Sequence, residues 1–105
     1  MAVHGRVLAC LAAAGEPEVR VTASQVAYRR RVAFAWTWRP ARWLRGAKGV
    51  VVLSIALPYR DASARWKEVA HPTPARWMHH LEVRDVATLD DEVAGWLRAA
   101  WDAAA

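Results

Sequence analysis

The sequence predicts an α+β domain: an N-terminal helix, an antiparallel sheet of four to five strands and a C-terminal helix, with both helices on one sheet face. Two observations carry the prediction. Apolar residues recur at helical spacing only near the two ends of the chain, and between them bulky and small residues alternate with period two in short runs divided by Gly, Pro and charge. A chain of 105 residues, 55% hydrophobic and 24% charged, has the size and composition of one folded domain, so residues 1–105 are read as a single unit.

Val3, Val7, Cys10, Leu11 and Ala14 fall on one helical stripe, and Gly15 with Pro17 stops it, which predicts a helix over 3–14. Val19 and Val21 alternate with Glu18, Arg20 and Thr22, and Val26 and Tyr28 alternate with Ala27 and Arg29, giving two short strands. The run from Val32 to Trp38 alternates large and small residues throughout and is the clearest strand. Residues 39–49 read as a basic loop holding Trp43 between Arg42 and Arg45, and Val50 to Leu57 as the next strand. A second loop runs from Pro58 past Pro72 and Pro74 with Trp66 between Arg65 and Lys67, followed by a strand from Trp77 to Arg84. Thr88 is the expected N-cap of the last helix, Asp90, Asp91 and Glu92 suit its positive end, and Leu89, Val93, Trp96, Leu97, Ala100 and Trp101 form its apolar stripe.

Sorting strand residues by parity groups Phe34, Trp36 and Trp38 with Val51, Leu53, Ile55, Leu57, Leu81 and Val83 as the core face. The reverse face then carries Ala33, Ala35, Thr37, Val52, Ser54 and Ala56 beside His80, Glu82 and Arg84, which is unusually small and apolar for a solvated face. Three covers suit it: the Trp43 or Trp66 loop, a second copy of the chain in a homodimer, or a ligand.

The chain carries fifteen Lys plus Arg against ten Asp plus Glu, a formal net charge of +5, and all but Lys48 and Lys67 of those cations are Arg. Such a balance favours anionic partners, although arginine-rich drift with no ligand gives the same composition. Arg29, Arg30 and Arg31 lie between Tyr28 and Phe34, the pairing of cation and ring that holds phosphates while bases stack; a strand edge blunted by charge against aggregation is the plainer reading. Of the seven tryptophans, Trp43 and Trp66 stand in basic loops, where they could clamp a planar ligand. His80, with Arg84 and Glu82 nearby, is a further candidate. His79 and His80 point to opposite faces of a strand and so do not form a metal pair, and no CxxC or HExxH spacing stands elsewhere. No cofactor motif is present, and Gly46-Ala47-Lys48-Gly49 lacks the phosphate-loop spacing. The longest apolar run is too short to span a bilayer, and a lone Cys10 suits a reducing, cytoplasmic setting.

The strings Val26-Ala27-Tyr28-Arg29-Arg30-Arg31, Phe34-Ala35-Trp36, Arg65-Trp66-Lys67-Glu68, Trp77-Met78-His79-His80-Leu81 and Leu89-Asp90-Asp91-Glu92 ahead of Trp96-Leu97 resemble a bacterial family of small domains of unknown function. Forms of that family stand alone in actinobacteria, and others are fused to predicted transport or restriction-nuclease-like proteins. The resemblance implies a compact α+β accessory domain with a tilt toward nucleic-acid work. The expectation is a binding module rather than an enzyme, taking nucleic acid or a phosphorylated ligand through Arg29, Arg30, Arg31, Trp43, Arg45, Trp66, Lys67, His80 and Arg84. A homodimeric or protein-interaction domain using the reverse face is the alternative, and a small-molecule or enzymatic accessory domain is the third reading.

Overall fold

A computed structural model describes residues 2–39 and 50–105. Six strands form one antiparallel sheet: β1 (Glu18–Val21), β2 (Gln25–Arg29), β3 (Ala33–Trp38), β4 (Val51–Leu57), β5 (Glu68–Thr73) and β6 (Arg76–Val83), in the order β1-β2-β3-β4-β6-β5. Helices α1 (Ala2–Leu11) and α2 (Asp91–Ala103) pack together on one face, where Val7, Leu11, Val93, Trp96, Leu97 and Trp101 join Leu53, Ile55, Leu81 and Val83 in a single core. The α+β class and the placement of the helices follow the sequence pattern. The sheet is larger than expected by the edge strand β5, which the prolines assign to a loop. An edge strand tolerates Pro72, because its missing N–H costs no ladder bond when that side faces solvent.

Helix α2 begins two residues later than the Thr88 reading. Asp90 is the N-cap, its carboxylate accepting from the Val93 amide at 3.1 Å, while Thr88 closes a preceding 3-10 turn capped by Asp85. At the other end of the core, α1 is followed by a turn in which the Gly15 amide donates to Leu11 O at 2.9 Å. A Cβ at Gly15 would stand 2.4 Å from Trp101 Cζ2, so only glycine lets the chain pass this closely under the indole.

The register of β3 decides which residues face outward. Tyr28 pairs with Ala35 but Arg29 pairs with Ala33, so Phe34 is an extra residue in a β-bulge. The bulge lets Phe34 and Ala35 both turn toward the helices, where Phe34 is fully buried edge-on to Trp101 at 5.8 Å between ring centroids. From there Thr37 continues on the helix face, level with Leu53, and Trp36 and Trp38 go to the opposite face, level with Ser54 and Val52. The parity grouping of Phe34, Trp36 and Trp38 is thus corrected: one inserted residue sends the two tryptophans out of the core, and Ala35 into it. The small residues of the reverse face are covered by their own neighbours, since Ala27, Val52, Ser54 and Ala56 are buried between the side chains of Trp36, Trp38, Met78 and His80.

Candidate nucleic-acid interface

The face of the sheet opposite the helices presents Trp36 and Trp38 from β3, Gln25 from β2, Ser54 from β4, and Met78 and His80 from β6. These residues line an open depression of about 210 Å³. All except Ser54 are half-buried, so their rings and edges meet solvent, while Ser54 is 3% exposed and forms the floor. Trp38 stands edge-on to His80 with ring centroids 6.3 Å apart.

A chain of hydrogen bonds ties the floor together. Trp38 Nε1–H, which can only donate, reaches Ser54 Oγ at 2.8 Å, and Ser54 Oγ lies 2.7 Å from His80 Nδ1. Among the described residues Ser54 Oγ has no other partner, so its own proton finds an acceptor only at Nδ1. His80 is then the neutral tautomer protonated at Nε2. Burial pushes the His80 imidazole below the usual histidine range, with Glu68 across on β5 pulling the other way.

A serine beside an imidazole has the outline of a nucleophile and its base. Here Ser54 is sealed below the rings, the indole N–H occupies one of its lone pairs, and β4 pairs on both sides so that its amides are engaged in the ladders. The arrangement suits holding a flat ring by stacking and one directed donor better than stabilising an oxyanion.

The rim is charged. Arg20 and Arg29 flank Glu18 at 2.9 and 3.9 Å, Arg76 lies over the Trp36 ring at 5.9 Å, and Lys67 and Arg84 approach Glu82 at 3.9 and 4.0 Å. These cations outnumber the carboxylates Glu18, Glu68 and Glu82 around the same face.

The residues singled out in the sequence are dispersed. Arg29 reaches the open face. Arg30 turns toward the helices, its guanidinium 4.5 Å over Trp101 and donating to Trp101 O at 3.1 Å, where a cation suits the negative end of α2. Arg31 is exposed in the β2–β3 turn, and its amide donates to Ala104 O. Lys67 and Arg84 stand on the rim and His80 in the depression. Trp43 and Arg45 lie outside the described residues. Trp66 is no loop-borne clamp: it is 9% exposed, packed on Trp96 at 4.2 Å and His79 at 4.8 Å, and donates to Asp61 Oδ2 at 2.9 Å. The physical reason is the chain path, because the segment between β4 and β5 folds back over the helix face and brings Trp66 to the core while Tyr59 stays exposed.

His79, fully buried on that side, accepts from the Asp61 amide at Nε2 and donates from Nδ1 to Trp77 O. The adjacent histidines therefore hold opposite tautomers on opposite faces of β6. Among the described residues, no three His, Cys, Asp or Glu side chains gather as a metal site.

Trp36, Trp38, Gln25, Ser54, Met78 and Arg76 were not singled out by sequence as site residues, because the bulge that exposes the two tryptophans has no glycine or proline to announce it.

No curated protein and no solved structure matches this chain. A family model described as a domain of unknown function (DUF5655) matches residues 1–104, and the chain belongs to that family.

Proposed function

We propose that the domain is a binding module for single-stranded nucleic acid, held across the open face of the sheet. The observation that carries this reading is the outward placement of Trp36 and Trp38, two residues apart on β3, on a face that neither α1 nor α2 covers among the described residues. Bases stack on aromatic rings with little regard to sequence, while cations around the rings hold the phosphates. Arg20, Arg29, Arg76, Lys67 and Arg84 are placed for the second task. A flat face with half-buried rings reaches unpaired bases, not the stacked interior of a duplex. At about 210 Å³ the depression is smaller than the roughly 300–1,000 Å³ of pockets that enclose a metabolite, and it suits one ring of a longer chain.

The test is fluorescence anisotropy with labelled oligothymidylate, titrated at several salt concentrations. Affinity should fall with salt by about 0.7 in the log–log slope for each phosphate contact. Trp36→Ala and Trp38→Ala should each cost about 1–3 kcal/mol in binding while leaving the circular dichroism spectrum unchanged. Absence of saturable binding at low salt overturns the reading, as does undiminished binding by both variants. A wild-type dimer that Trp36→Glu splits, with no oligonucleotide bound, would assign the face to self-association instead.

A further inference from the structure

The open face holds one polar group whose direction is set by the protein rather than by the ligand. Trp38 Nε1–H donates to Ser54 Oγ, the buried Ser54 hydroxyl donates to His80 Nδ1, and His80 Nε2–H is left without a partner among the described residues. The imidazole is half-buried and perpendicular to the Trp38 indole, at 88° between planes. A ring perpendicular to the indole at this distance can direct its N–H to the edge of a base stacked on Trp38, in the plane of that base. Gln25, also in the depression and half-buried, can present either end of its amide and so imposes no direction, while Ser54 is buried in the floor.

Resting on the nucleic-acid reading of this face, we propose that His80 Nε2–H is its specificity-determining donor, selecting bases with a carbonyl oxygen on the exposed edge, uracil and thymine, over adenine. Uracil and thymine carry oxygen acceptors on both sides of their ring N–H. Adenine carries an amino donor at the exocyclic position where uracil and thymine carry an oxygen, and an N–H aimed there is opposed, with only the recessed ring nitrogen N1 beside it to accept. Ser54 is a positioning residue: by occupying Nδ1 it fixes the tautomer that makes His80 a donor on its free side, and Trp38, which can only donate, takes one of the two Ser54 lone pairs and leaves the hydroxyl proton to find its acceptor at Nδ1.

The experiment compares oligothymidylate with oligoadenylate on the intact chain, on Ser54→Ala and on His80→Phe, and reads the imidazole tautomers by long-range nitrogen–proton NMR without ligand. The wild type should show His80 protonated at Nε2 and His79 at Nδ1. Its thymidylate-to-adenylate affinity ratio should exceed that of His80→Phe on the order of two- to tenfold, the yield of one net hydrogen bond. Differences in stacking between the two bases cancel in that comparison. Ser54→Ala should mix the His80 tautomers and reduce the ratio partway, and His80→Gln, which restores an N–H donor, should recover part of it. An unchanged ratio in His80→Phe, or a wild-type His80 protonated at Nδ1, overturns this inference while leaving Trp-dependent binding, and hence the reading of the face, in place. Failure of both oligonucleotides to bind overturns this inference and the reading of the face together.

Discussion

Replacing Trp66 separates the two places a tryptophan can have in this protein. In the structure its indole lies on Trp96 and His79, and its N–H bonds the Asp61 carboxylate, which also accepts from the Ser63 amide. Trp66→Ala empties a site that is 9% exposed, and large-to-small aromatic changes in cores cost about 3–5 kcal/mol. It also removes a bond to a charged acceptor, of the order of 1.5–3 kcal/mol by itself, although part of that is regained because Asp61 can turn to water. A net loss of about 4 kcal/mol is a large share of the 5–15 kcal/mol expected of a small domain, and it corresponds to a fall in melting temperature on the order of 15–30 °C. Trp66→Phe keeps the stack and loses only the N–H, so it should fall between. Circular dichroism melts and urea midpoints measure both. An unchanged midpoint in Trp66→Ala with loss of oligonucleotide binding would refute the argument and return Trp66 to the exposed loop.

Arg30→Ala should lower stability by about 1–2 kcal/mol in urea titration, because its guanidinium packs on Trp101 and bonds Trp101 O, yet leave the salt slope of binding unchanged. Arg29→Ser should do the reverse; matching effects from the two would show that the triplet acts as one unit. Stability should fall as pH drops through about 6.5. Burial, foremost, holds buried His79 and half-buried His80 below that unfolded value, so the unfolded chain takes up protons there that the folded one does not. The contribution is complete above pH 6.5 and declines toward the folded values, which urea midpoints at pH 7.5 and 5.5 measure; a midpoint that rises on acidification would contradict the neutral assignments.

Where local signals and tertiary placement agree, the sequence was legible. Helix α2 is written as a stripe with acidic residues at its start, and the predicted Val93, Trp96, Leu97, Ala100 and Trp101 are all buried, joined by Ala94, which the stripe left out. Strand β4 reads as an apolar run broken only by Ser54 because it lies between two strands and its side chains are buried on both faces. Strand β5 was hidden because only Val69 of its residues packs on the core, which leaves propensity to decide, and propensity reads Pro72 and Pro74 as loop. For Trp66 the flanking Arg65 and Lys67 imitate a solvated loop. Arg65 is in fact held down by Asp90, Glu92 and Thr88 O, so the charges beside the indole hold it in place rather than draw it into water.

The candidate site turned on a feature that alternation cannot encode. A perfect large-small alternation from Val32 to Trp38 fits two arrangements, one with every large residue inward and one with a break at Phe34 that keeps Phe34 inward and turns Trp36 and Trp38 out. Packing favours the second. Helix α2 already brings Trp96 and Trp101 to the helix face and the 58–67 segment brings Trp66, so two more indoles level with Leu53 and Ile55 would overfill it. On the other face Ala27, Ser54 and Ala56 leave room for rings to lie down, and Ser54 supplies the acceptor that the Trp38 N–H needs once half-buried. The same small residues that make the reverse face look unfinished in sequence are what seat the two tryptophans on it, and their hydroxyl is what turns His80 into a donor.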